Sequence, residues 1–512
     1  MCLAMAKHFA NVCGVPRLIA SIFHRAPVLG LHFVVSTSLT SCGASTGAPT
    51  QGNPSRVEPS TLRDNKFEYA SVLIPNVPHV MQKPDFCGEA VVESWLKALG
   101  VDASQDQVFA LSGMNPERGM GATTRELKSA LQRLGFNPGP VWYTVDAESK
   151  TELDTLFGEL HSDLMQKIPS IVCSHFDERP DASEHFRLIL GYDAETDEII
   201  YHEPAIANAG YRRMSRRQFL SLWPLKYQSK QWTIIRMRLA GEKISAPGPA
   251  SGITPADFAQ HILSIRQRKA RGMSVVLEPP FVVIGDGEPA AVHDTAQHAV
   301  RWASTKLKSD FFSKDPQRIL DIWLFKNDTS YNSNTRSLLG TAPDTPFGFY
   351  NSEHNALIMN IATGGGTLVH EMVHPYIEAN FPNCPAWFNE GLGSLFEQSA
   401  ERDGHIVGLT NWRLAGLQRA IRRGRLQSFS SLMSTTQNEF YEADPGTHYA
   451  QARYLLYYLQ ERGLLVRYYH HFVAHQAQDA TGQASLREIL GESDLAEFQK
   501  RWEPWVLGLR FP

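Results

Sequence analysis

The sequence lacks a surplus of either charge: 49 Lys and Arg stand against 53 Asp and Glu in 512 residues, a formal net charge of -4. No block of like charges interrupts it, so the electrostatic footprint that nucleic acid binding needs is missing, and no nucleic-acid partner is expected. It shows no internal repeat. Near its start an apolar stretch, Val28 to Val35 with His32 as its polar break, falls short of the roughly 18 to 20 residues that a bilayer-spanning helix needs. Cysteine is scarce, with 6 in the chain. The composition is otherwise that of globular proteins, and the length predicts two or three compact units rather than one.

The apolar stretch follows Lys7, Arg17 and Arg25 and precedes small and hydroxyl residues, the layout of an export signal over residues 1–42. Its end, Leu39-Thr40-Ser41-Cys42, resembles the lipobox of bacterial lipoproteins. The resemblance implies that Cys42 is diacylated and becomes the first residue of a mature chain anchored to a membrane of the cell envelope. Gly43 after that Cys, rather than Asp, resembles outer-membrane sorting. Cys2 and Cys13 leave with such a signal, so Cys87, Cys173 and Cys384 remain in the folded body. An odd number cannot all pair, and an unpaired Cys in an oxidising compartment calls for a catalytic or a buried role.

Two Ser/Gly/Pro-rich stretches read as a tether (43–67) and a linker (241–254, centred on Ala246-Pro247-Gly248-Pro249). They divide the chain into domains at 68–240 and 255–512. In the first, helical patterns after Cys87 and at Thr124 to Leu134 precede strands at Ile171 to Cys173, His185 to Gly191 and Ile199 to His202. Helix first and sheet later gives an α+β unit. In the second, strands near Phe281 to Ile284, Ile319 to Phe325 and Ala356 to Asn360 precede a mostly helical remainder.

Where those strands give way to helices stands His370-Glu371-Met372-Val373-His374. On a helix its two histidines lie one turn apart on one face, so both imidazoles reach a single ion, and Glu371 beside them is placed as general base toward a water that zinc activates. Pro375 directly after the motif predicts an end or a kink in the helix. A metzincin needs Gly three residues after the second His and a third His three further on; here Ile377 and Asn380 stand there, which excludes that class. Downstream, Trp387-Phe388-Asn389-Glu390-Gly391 resembles the second motif of the gluzincins, in which a Glu on the next helix is the third zinc ligand. The resemblance assigns that place to Glu390, with Glu397 as the alternative. Gly348-Phe349-Tyr350 and Ala356 to Asn360 resemble the edge strand beside the zinc in that clan, where an extended substrate adds as a strand. His448 to Tyr454 resembles the segment bearing the oxyanion-stabilising residue, which makes Tyr449 the candidate, set against a packing role in a helix rich in aromatics. The resemblance covers most of residues 275 to 470 and is nearest to the peptidase MA-like gluzincins.

Gln82, five residues before Cys87-Gly88 at the start of an apolar helix, is the arrangement of papain-like enzymes: a Gln that donates to the oxyanion and a helix N-terminus that favours a thiolate. With His185 opening a strand and Glu203-Pro204 after its return, residues 74 to 236 resemble the papain-like family that cleaves bacteriocin leaders after double glycine, and its C39-like relatives. The resemblance implies Cys87 as nucleophile, His185 as base, Gln82 as oxyanion donor and Glu203 where that family has the orienting Asp. Asp85, two residues before the thiol, works against a depressed thiol pKa. A buried Cys87 in a domain that only binds peptides is the competing reading, and Cys173 reads as a core residue. The Asp-Cys-Ser/Thr-Gly signature of cell-wall amidases is absent.

Together these readings predict a papain-like α+β domain followed by a gluzincin domain, an envelope-anchored zinc metallopeptidase acting on peptide or protein substrates and carrying a second, Cys-His site. The rivals are a metallopeptidase with a non-catalytic recognition module, and a non-enzymatic envelope scaffold.

Overall fold

A computed structural model describes residues 69–248, 252–268 and 270–511. The export signal, Cys42 and the whole of the tether lie outside the described residues. The chain separates into two compact units that meet at Ile265/Arg266.

The first unit is built on a seven-stranded antiparallel sheet in the order β2-β7-β3-β4-β5-β6, with β1 paired to β4. Its strands are β1 (Val72–Leu73), β2 (Trp142–Asp146), β3 (Ser170–His175), β4 (Glu184–Asp193), β5 (Glu198–His202), β6 (Arg212–Ser215) and β7 (Gln231–Arg238). The central strand β4 is buried along nearly its whole length, because helices and loops cover both faces. The helix Cys87–Ala98 lays Val91, Val92 and Leu96 into this core. Gly88 lets it approach closely: a Cβ there would lie 2.7 Å from Leu127 and 3.2 Å from the Phe186 ring, so the helix start sits against the start of β4.

The expected boundary at 241–254 differs from the one observed. The helix Pro255–Arg268 packs Ala256 and Ala259 with Phe86 and Phe109, and Gln260 Nε2 donates to the Pro84 carbonyl at 2.8 Å. Most of that helix therefore joins the first unit.

The second unit has a five-stranded mixed sheet, β11-β12-β10-β9-β8, formed by β8 (Ser274–Glu278), β9 (Phe281–Gly285), β10 (Leu320–Phe325), β11 (Gly348–Asn351) and β12 (Ala356–Asn360). Its centre is parallel and its edges antiparallel, with β11 on the edge beside β12. The helix Gly366–Asn380 follows β12, the helix Ala386–Phe396 comes next, and helices make up most of the rest apart from the hairpin β13 (Ser399–Arg402) and β14 (His405–Gly408). Pro375 does not end the first of these helices, which continues to Asn380. Tyr376 and Ile377 beyond it are buried in the core, and their packing outweighs the one amide hydrogen bond that proline withholds from the Glu371 carbonyl. Among the described residues no helix is long and apolar enough to cross a membrane.

Candidate active sites

In the second unit the two histidines of the Gly366–Asn380 helix face Glu390 of the Ala386–Phe396 helix. One Nε2 or carboxylate oxygen of each of His370, His374 and Glu390 lies within 4.8 Å of the others. His370 Nε2 is 3.1 Å from Glu390 Oε2, and His374 Nε2 is 4.0 Å from Glu390 Oε1. The ring orientations are fixed from behind. His370 Nδ1 faces Glu397 Oε1 at 3.2 Å, and His374 Nδ1 donates to Asn389 Oδ1 at 3.0 Å. Each outer bond holds a hydrogen on Nδ1, so Nε2 is the nitrogen that each imidazole would offer to an ion, His370 first giving up the proton it shares with Glu390. Glu397 is itself gripped by Arg413 through Nε (2.9 Å) and Nη2 (2.6 Å), and by Asn411. Gly393 makes room for all this, since a Cβ there would come 3.0 Å from the His370 ring.

Glu371 turns to the same centre. Its Oε2 is 3.7 Å from His374 Nε2 and accepts the backbone N–H of Tyr350, on the edge strand β11, at 3.0 Å. Burial raises its pKa above the ordinary glutamate value. Burial would lower the pKa of His370, yet its hydrogen bonds to Glu390 and Glu397 push it up to about 10. Glu390 is held down at about 2 by His374 and His370 against the effect of its own burial. Tyr441, which sequence patterns did not single out, donates to Glu390 Oε1 at 2.6 Å. Tyr449 is 3% exposed and also hydrogen-bonds Glu390; burial, first of all, keeps its hydroxyl protonated. Two nitrogen donors and a carboxylate, backed by fixed partners, form a donor set that fits zinc.

In the first unit Cys87 is the first residue of its helix and is buried. His185 is the second residue of β4, and its Nε2 donates to Glu203 Oε1 at 2.5 Å, so Glu203 stands where an orienting carboxylate is needed. Gln82 donates its backbone N–H to the Pro204 carbonyl at 2.9 Å, and its buried Oε1 has no hydrogen-bond partner among the described residues. Burial raises Asp85 to about 6 and Glu89, two residues after Cys87, to about 8. Both accept from the same turn, Asp85 from Gly121 N–H (3.1 Å) and Glu89 from Ala122 N–H (2.7 Å). Glu89 was not anticipated, and neither was Arg187, whose guanidinium holds the other oxygen of Glu203 at 2.8 Å. Both are ionisable residues within apolar runs, a signal that could have found them.

The residue before Glu203 makes a stability prediction. His202 is 1% exposed, both of its ring nitrogens lack hydrogen-bond partners among the described residues, and burial, with His79 nearby, lowers its pKa to about 4. The unfolded chain takes up a proton near pH 6.5, so this neutral imidazole costs nothing above that pH and destabilises the fold progressively down to about pH 4. At pH 5 the loss should be about 2 kcal/mol. Urea unfolding of wild type and His202→Phe at pH 7.5 and 5 measures it. The variant should lose about 2 kcal/mol less between the two pH values, and equal losses would show that His202 does not titrate this way.

Residues 74–230 match the family model described as Peptidase_C39 like family. The described residues form a mixed α+β structure. Among solved structures, the peptidase domain of Streptococcus ComA, a bi-functional ABC transporter of a quorum sensing pathway, is 22% identical, with a TM-score of 0.22 over 31% of this chain and 98% of that one. A double glycine motif protease from an AMS/PCAT transporter, in complex with its leader peptide, is 16% identical, with a TM-score of 0.22 over 33% of this chain and 98% of that one. No curated protein matches the chain.

Proposed function

We propose that this chain is an envelope-anchored zinc metallopeptidase of the gluzincin kind, with a C39-like domain that carries a second, Cys-His site. The observation that supports it most is the convergence of His370, His374 and Glu390 within 4.8 Å, with Glu371 alongside. Those three side chains would hold the ion, which supplies Lewis acidity that brings the pKa of water to about 7 and polarises a carbonyl. Glu371 takes the proton of the attacking water on its carboxylate and returns it to the leaving amine. The Tyr449 hydroxyl, kept protonated by burial, is the donor for the oxyanion, turning its one hydrogen there from Glu390. Among the described residues β11 is the outer strand of its sheet and would offer backbone groups to an extended peptide, the Tyr350 N–H being already on Glu371. Purified Cys87→Ser protein, which silences the thiol site, should contain about one zinc per chain and cleave an unfolded protein substrate, and a chelator should abolish that cleavage. Cleavage by zinc-free Cys87→Ser protein would refute the reading.

In the second site Cys87 is the nucleophile, His185 its base, Glu203 the residue that orients His185, and Gln82 the oxyanion donor. A non-catalytic, peptide-recognising domain is the second reading, favoured by the buried acids flanking Cys87 and by the sharing of Glu203 with Arg187. The anchor places the chain on the outer membrane through Cys42. Wild type should label with a palmitate analogue and Cys42→Ala should not; equal labelling would remove the anchor from the proposal.

A further inference from the structure

Arg187 lies in the middle of β4, two residues from His185, and is 3% exposed. A buried guanidinium needs partners for its five N–H groups. Its Nε donates to Glu203 Oε2 at 2.8 Å, Nη1 to Ser174 Oγ at 2.6 Å and to the His175 carbonyl at 3.0 Å, and Nη2 to the Phe176 carbonyl at 2.7 Å. The rings of Phe176 and Tyr201 lie 5.6 and 5.7 Å from its carbon. Three of these bonds tie it to the end of β3, so the cation is immobile. It therefore divides the Glu203 carboxylate: Oε1 serves His185 and Oε2 serves Arg187.

This division has a chemical consequence. A papain-like thiol is reactive when its proton has moved to the imidazole, and a carboxylate beside that imidazole favours the move by stabilising its positive charge. A guanidinium fixed on the same carboxylate cancels most of that help, with little screening in a buried site. The other ionisable groups around the pair are His79, whose Nε2 meets the Glu203 carbonyl oxygen, His202 beside Glu203, His175 at the end of β3 and Asp177 past it, and Asp85 and Glu89 at the Cys87 helix. Arg187 is the cation in direct contact with the carboxylate.

We propose that Arg187 is a positioning residue that sets the resting charge state of the Cys87-His185 pair: by neutralising Glu203 it holds the pair as neutral thiol and neutral imidazole. The proton stays on Cys87 Sγ, while His185 keeps its Nε2–H on Glu203 Oε1 and its Nδ1 as the acceptor in reserve. The site is thus restrained rather than dead, a state between the catalytic and the recognition readings. This inference rests on reading Cys87 and His185 as a pair.

The test is the rate of iodoacetamide labelling at Cys87 in the full chain, followed by peptide mass spectrometry from pH 5 to 9. Arg187→Met should label faster than wild type at pH 6, by roughly tenfold if the thiol pKa falls by one unit, and Arg187→Lys should stay near wild type. A merely structural arginine would give no acceleration. The double variant Arg187→Met/His185→Ala should lose the gain. An unchanged or slower rate in a folded Arg187→Met overturns the proposal. His185→Ala alone tests the underlying pair separately, because it must slow labelling if the two residues work together. Should Arg187→Met melt below the assay temperature, Arg187→Gln, which removes the charge but keeps hydrogen-bond donors for Glu203 and the end of β3, carries the same test, and no acceleration overturns the proposal.

Discussion

Glu371→Gln should keep its zinc and lose peptide-bond hydrolysis by about 10²- to 10⁴-fold, the contribution of a positioned general base. The substitution is nearly isosteric. The amide oxygen can still accept the Tyr350 N–H that the carboxylate accepts at 3.0 Å, so the helix and the edge strand keep their contact. His370, His374 and Glu390, with Glu397 and Asn389 behind the imidazoles, are untouched, and the donor set stays whole. The variant loses a group that can take up a proton beside His374 Nε2. Elemental analysis and hydrolysis of a quenched fluorescent peptide, run on the same sample, give both readouts. Zinc lost along with activity would make Glu371 part of the ion's support, and activity retained would remove it from the chemistry altogether.

The sequence exposes this arrangement unevenly, for reasons of distance along the chain. Helical spacing alone puts His370 and His374 on one face, and strand periodicity alone marks Ile171 to Cys173, His185 to Gly191 and Ala356 to Asn360, all of which lie within observed strands. Glu390 is legible as a motif position because its helix follows the first closely. The partners that hold these groups are not legible. Glu397 meets His370 from 27 positions downstream, Tyr441 meets Glu390 from 51, and Arg413 meets Glu397 from 16, contacts made by the packing of helices that no local pattern encodes. Pro375 misleads in the other direction, since its local penalty is real but smaller than the burial of Tyr376 and Ile377. In the linker the composition is right and the inference too simple: Pro and Gly mark an irregular segment, while the helix after it packs back on Phe86 and Phe109. Arg187 is the instructive miss. A charged residue in a strand buried along its length, as His185-Phe186-Arg187-Leu188 is, demands a buried acid, and Glu203 was already in view.

Two carboxylates touch His370, and they should fail differently. Glu390 lies on the Nε2 side with both imidazoles, whereas Glu397 lies behind, on Nδ1, and spends its remaining capacity on Arg413 and Asn411. Glu390→Ala removes one of three donors, so zinc should fall well below one per chain after dialysis. Glu397→Gln removes no donor. It leaves His370 an acceptor for Nδ1–H but strips the charge that fixes and strengthens the imidazole, so zinc affinity should drop by about 10- to 100-fold while stoichiometry at saturation stays at one. It also leaves Arg413, which is 11% exposed at its side chain, without a counter-charge, and breaking such a buried pair costs about 3 to 5 kcal/mol. Metal-free Glu397→Gln should therefore melt well below metal-free wild type, and Glu397→Gln/Arg413→Met should recover part of the loss by removing the orphaned cation. Zinc titration with a competing chelator, with melts of the same proteins, separates the two roles. Full zinc in Glu390→Ala together with its loss in Glu397→Gln would reverse the assignment and make Glu397 the third ligand.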